Sequence, residues 1–272
     1  MTRRHNLVNI YIQELKMSVK SLIYWTFGML LALMFFMLLF PAISQDAALM
    51  NQLISKFPPE LTRALGLTTL DLSMALGFYG YLFLFILLIG SVYAMKSGMS
   101  VLSEEIRAKT ADFLLSKPIS RNTIVTAKIM SVLSLLVLQT VFYIIGAFIV
   151  VNLTTNQLFD RTTFLLINLS LLLVQLFFAA LGLLLSVIVR KIKTVLPIAL
   201  GIVFGFYVLQ MLNQSLTDSN LAYITPFAYF DISKIVATGA YESNYLIINT
   251  FMILGFTILT YIIYNKKDMP SI

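Results

Sequence analysis

"FLLINLSLLLVQLFFAALGLLLSVIV", residues 164–189, runs for 26 positions without a charged side chain. A helix needs about 20 mainly apolar residues to cross roughly 30 Å of hydrocarbon, and this stretch exceeds that length. In lipid the backbone has no water to bond, so a segment of this kind satisfies its own N–H and C=O groups as a helix. Five further uncharged runs have comparable length: Leu22–Phe40, Phe78–Met95, Ile129–Val151, Thr194–Leu212 and Tyr245–Tyr264. With 59% hydrophobic and 11% charged residues, the 272-residue chain lies far from the balance of a soluble domain. The expectation is an all-α membrane protein: one transmembrane domain over residues 1–272, with spans near 22–40, 78–95, 129–151, 164–189, 194–212 and 245–264. The first run begins at residue 22 and is long enough to span, so it reads as a retained anchor rather than a removable leader.

Six spans put both termini on one side, together with the loops at 96–128 and 190–193. Of the 19 Lys and Arg residues, all but Lys56, Arg63, Arg161 and Lys234 fall on that side. The positive-inside rule then places both termini in the cytoplasm. The net charge of +7 is thereby explained as topology, without a nucleic-acid partner.

Ahead of the first span, Asn6, Asn9, Gln13, Lys16 and Lys20 recur at helical spacing, opposite Leu7, Ile10, Tyr11, Leu15 and Leu22. The pattern predicts an amphipathic elbow helix on the headgroup layer, with membrane lipid as its partner; a plain extension of the first span is the alternative. The outer loops are 41–77, 152–163 and 213–244. The first carries helical spacing broken at Pro58 and Pro59 and predicts two short helices. The last predicts a helix or re-entrant segment around Pro226.

The chemistry excluded is broad. None of the six runs holds an ionisable side chain other than tyrosine, which disfavours proton or ion-driven carriers. His5 is the one histidine, there is no cysteine, and no Gly precedes a Lys, so zinc hydrolysis, Ser-His-Asp catalysis, thiolate metal sites and the phosphate-binding G-x-x-x-x-G-K-[ST] loop are all absent. No catalytic or metal-ligating residue is expected. If the protein uses ATP, another chain binds it.

The polar residues inside the spans are mild. Gln139, Asn168 and Gln175 are expected to hydrogen-bond between helices, or, since Asn168 and Gln175 lie seven apart on one face, to line a path. Gln210 and Asn249 carry the same first reading. "GIVFG", Gly201 to Gly205, has the G-x-x-x-G spacing that admits a close helix, expected here within the monomer. In "FYGYLFLF", 78–85, Tyr79 and Tyr81 read as interfacial anchors combined with ordinary packing.

Between the second and third spans the chain is densely charged: Glu104, Glu105, Arg107, Lys109, Asp112, Lys117, Arg121 and Lys128. Ser103 is an expected N-cap, followed by two acids that suit a helix N-terminus. Ile106, Phe113 and Leu114 fall near one face, Pro118 ends the helix, and Ser120 or Asn122 can cap the next. A short amphipathic helix with both charge signs suits docking on a protein.

"SEEIRAKTADFLLSKPISRNTIVTAKIM", 103–130, resembles the signature loop of permease subunits of type-2 ABC exporters. The matching positions are Glu104, Glu105, Arg107, Thr110, Leu114, Leu115, Ser116, Pro118, Ile119, Ser120, Arg121 and Lys128; Lys109 departs, where the family often has Gly. "FPPELTRALGL", "ITPFAYFD" and "YNKKDM" extend the resemblance over nearly the whole chain. It implies a coupling helix seated in the cleft of a separate ATP-binding subunit. Glu104, Glu105, Arg107, Thr110, Phe113, Leu114, Leu115, Pro118, Ser120 and Arg121 would be its contact residues. It further implies ATP and Mg held by that partner, and a unit of two ATPases with two permeases, the second a copy or a paralogue. The function so implied is ATP-driven export across a bacterial plasma membrane. Spans without counter-charge suit a hydrophobic or amphipathic cargo, with a lean toward an antimicrobial or toxin peptide. A non-transporting mechanotransmission or scaffold subunit is the alternative; the outer loops are short for one.

Overall fold

The computed structural model describes residues 2–45, 52, 54–67, 70–107, 120–155, 157–189, 192–216 and 220–266, with backbone alone at 2–6 and 104–107. Among the described residues the chain is helical, without a strand. In order it forms α1 (Thr2–Met37), α2 (Phe40–Gln45), α3 (Pro59–Ala64), α4 (Ala75–Arg107), α5 (Arg121–Thr154), α6 (Arg161–Ile188) and α7 (Val195–Ser215). A 3-10 turn at Asn220–Tyr223 leads to α8 (Pro226–Tyr229), α9 (Ile232–Thr238) and α10 (Ser243–Lys266). Six helices, α1, α4, α5, α6, α7 and α10, are long and apolar enough to cross a membrane.

Helix ends follow capping chemistry rather than the edges of the apolar runs. Ser120 Oγ accepts the Thr123 N–H at 3.3 Å, which starts α5 well before its apolar run. Asp160 accepts the Thr163 N–H at 2.8 Å and the Thr162 N–H at 3.3 Å, starting α6. Each cap satisfies donors that have no partner within the helix. At the far end of the bundle, Asp231 accepts the Ser233 N–H at 2.9 Å to start α9, and Gly239 ends that helix at φ 65°, a left-handed position that favours glycine.

One local expectation is corrected. Ser103 is not an N-cap: α4 continues through it to Arg107, and its hydroxyl donates to the Met99 carbonyl at 2.7 Å. A serine in mid-helix bonds back to the preceding turn when the helix has no reason to stop there. Ahead of the first span, α1 is one helix from Thr2 to Met37, the continuous form given above as the alternative to an elbow. Its buried positions Glu14, Leu22, Thr26, Met29, Leu33 and Met37 form a single stripe through both halves, so the same face packs throughout.

The centre of the bundle is α4 against α6. In each, 67% of the most apolar window is buried, against 22% for α7 and 11% for α10. Their backbones touch: a Cβ on Gly98 would lie 2.2 Å from the Ala179 carbonyl oxygen, and one on Gly182 would lie 2.6 Å from that of Met95. Helix α1 runs along α5, α10 along α6, and α7 along α4. Phe177 of α6 forms an aromatic junction with Phe206 of α7, Tyr229 of α8 and Phe256 of α10.

Among the described residues, the glycine spacing in α7 does not pack against another helix. A Cβ on Gly201 or Gly205 meets nothing within 4 Å. Helix α7 turns Val195, Ala199 and Val203 inward, and the two glycines lie on its opposite, exposed face. Tyr79 is also reassigned, from surface anchor to a fully buried side chain whose hydroxyl donates to Asn168 Oδ1 at 2.7 Å.

Candidate coupling site at the charged end

At one end of the bundle the helix surfaces change from apolar packing to polar ties. Lys128, on the second turn of α5, is 1% exposed. Its Nζ donates to Glu14 Oε1 of α1 at 2.6 Å and to the Val101 carbonyl of α4 at 2.6 Å. A buried ammonium is costly without an anion and further acceptors around it, and here both are present. The tie is repeated on either side: Tyr11 of α1 pairs with Ser134 of α5 at 2.9 Å, and Lys96 Nζ of α4 donates to Ser21 of α1 at 2.8 Å.

The first turn of α5 holds the end of α10. Arg121 donates to the Asn265 carbonyl at 3.2 Å, Asn265 donates to Asn122 Oδ1 at 2.6 Å, and Thr126 pairs with Tyr261 at 2.8 Å. A guanidinium at a helix C-terminus meets carbonyls that lack intrahelical partners and the negative end of the helix dipole. Helices α1, α4, α5 and α10 therefore converge on the two points where the chain leaves for, and returns from, residues 108–119.

The residues singled out in the charged loop divide accordingly. Glu104, Glu105 and Arg107 are on the last turns of α4, described as backbone. Ser120 caps α5, and Arg121 bonds α10. Thr110, Phe113, Leu114, Leu115 and Pro118 lie outside the described residues.

Deeper in, Gln175 Nε2 donates to Gln139 Oε1 at 2.8 Å and to the Gly90 carbonyl at 3.2 Å, while Asn168 accepts from Tyr79. These side chains are fully buried and join α4, α5 and α6. Interhelical bonds of this kind contribute roughly 0.6 kcal/mol each in membranes.

Sequence reasoning missed Glu14 as a partner for Lys128. The signal was present: Glu14 lies eight residues before Leu22 on the stripe that α1 buries, and an acid on a buried stripe demands a cation.

A six-helix bundle of membrane-crossing length whose charged end is tied together by polar contacts, with a charged connector between its second and third membrane helices, defines a polytopic membrane protein. The sequence model of the ABC-2 family transporter protein matches residues 8–269, and the chain belongs to that family. No curated protein matches it significantly. It is a multi-pass membrane transport subunit, not itself catalytic, and membership implies an ABC ATP-binding partner.

Proposed function

We infer that this chain is the membrane-spanning half of an ATP-driven exporter in a bacterial plasma membrane, with both termini cytoplasmic. The observation that carries the reading is the convergence of α1, α4, α5 and α10 around the connector at 108–119, joined to the family match over residues 8–269. A force applied to the connector reaches four membrane helices at once. The ATPase subunit docks on residues 103–121 through Glu104, Glu105, Arg107 and the Phe113–Leu115 face, and holds ATP and Mg itself. Two permeases and two ATPases make the working unit. The cargo is hydrophobic or amphipathic, an antimicrobial or toxin peptide being the favoured class, because the apolar spans offer uncharged surface for it.

Reversing the three charges (Glu104→Lys, Glu105→Lys, Arg107→Glu) tests the docking assignment. Permease-stimulated ATPase activity of the reconstituted complex is expected to fall about tenfold, the consequence of losing roughly 1.4 kcal/mol at the contact, with membrane insertion unchanged. Full stimulation in the triple variant would overturn the assignment of this loop.

A further inference from the structure

The Glu14–Lys128 pair is more than a bundle contact because of what the ammonium touches and where. Lys128 stands seven residues after Arg121, the first residue of α5, and the carbonyl it binds, Val101, stands six residues before Arg107, the last residue of α4. One ammonium thus joins both flanks of the connector to a third helix, α1, through Glu14. Toward the other end, the face that α1 buries is Met29, Leu33 and Met37, where packing is apolar apart from a weak, long bond from Gln139 Nε2 to Met29 Sδ at 3.6 Å. Among the described residues, the short polar ties of α1 to other helices are at its charged end, where the neutral Tyr11–Ser134 bond and the charge-assisted Lys96–Ser21 bond flank the pair.

We propose that Glu14, Lys128 and the Val101 carbonyl form a clamp that makes α1 move with α4 and α5 when the connector is displaced. Lys128 is then a positioning residue of the transport cycle, and α1 is one of its moving parts rather than a passive anchor. The proposal rests on the reading that an ATPase docks at 103–121.

The chain has no cysteine, so paired spin labels can be placed without background. One pair reports on α1 (Gln13→Cys with Leu196→Cys on α7) and the other on α5 (Met130→Cys with Leu196→Cys); all three sites are exposed. Distances are measured by pulsed EPR on the complex with its ATPase in nanodiscs, with and without Mg and a non-hydrolysable ATP analogue. The same pairs are placed in a Glu14→Leu/Lys128→Met background. Replacing a buried ion pair by apolar residues of similar size is often neutral for stability, so this variant remains folded, which its thermal melt checks. The expected result is a nucleotide-dependent shift of both pairs in the native background. In the apolar variant the shift is lost at α1 and kept at α5. If α1 still shifts in the apolar variant, the clamp is wrong while ATP coupling stands. If neither pair shifts in the native background, the ATPase-docking reading fails and the clamp falls with it.

Discussion

A Cβ on Gly98 would sit 2.2 Å from the carbonyl oxygen of Ala179, and that oxygen belongs to a helix backbone that cannot rotate away. Gly98→Ala must therefore push α4 from α6 at the centre of the bundle. The expected cost is about 1–3 kcal/mol, the usual penalty of overpacking. Gly201→Ala meets open space and is expected to stay within about 0.5 kcal/mol, since it touches nothing. Thermal unfolding of the two variants in the same nanodiscs compares them directly, and a larger loss at Gly201 would refute the packing described. The spacing rule selected Gly201 and Gly205 because both lie in one helix, four apart. The close contact instead pairs Gly98 of α4 with Ala179 of α6, and Gly182 of α6 with Met95 of α4. Pairing across two helices leaves no fixed interval in a single sequence, which is why it was not legible there. Gln139 and Gln175 were legible for the opposite reason: an amide in hydrocarbon must find a partner, whichever helix supplies it.

At the scale of the element, the six membrane helices were readable from their apolar runs, because hydrocarbon thickness fixes their length. Their ends were not, since a helix continues into the polar layer until a cap or an incompatible residue stops it. Helix α4 passes Met95 and runs to Arg107 for this reason. The cap of α6 gives a measurable consequence. Bonds from the Thr163 hydroxyl, then from the Thr163 and Thr162 N–H groups, hold the Asp160 carboxyl below its ordinary value of 3.8. A depressed carboxyl stabilises the folded state above the unfolded pKa and loses that contribution as pH falls through the folded one. The difference in melting temperature between the native chain and Asp160→Ala is therefore expected to be constant from about pH 7 to pH 5 and to shrink below about pH 4. A difference that grows on acidification would contradict the cap. Residues 6–20 follow the same logic of elements: their polar face is visible in the sequence, while the buried stripe of α1 continues through Glu14 and packs against α5.

For the molecule as a whole, the charge distribution and the fold separate two ends. The end holding Lys128, Arg121 and the last turn of α10 carries the polar ties that join α1, α4, α5 and α10. The other carries α3, α8 and α9, with the Asp160 cap and the exposed link before α6. Lipid headgroups and the insertion machinery favour Lys and Arg on the cytoplasmic side, so the first of these ends faces the cytoplasm in the orientation we infer. Two single cysteines in this cysteine-free chain decide it: Leu158→Cys in the link between α5 and α6, where the side chain is fully exposed, and Lys193→Cys in the link between α6 and α7. A membrane-impermeant maleimide applied to intact cells is expected to label Leu158→Cys at once and Lys193→Cys only after permeabilisation. The reverse pattern would turn the molecule over, putting the connector at 108–119 on the side without ATP and removing the physical basis for an ATPase docking there.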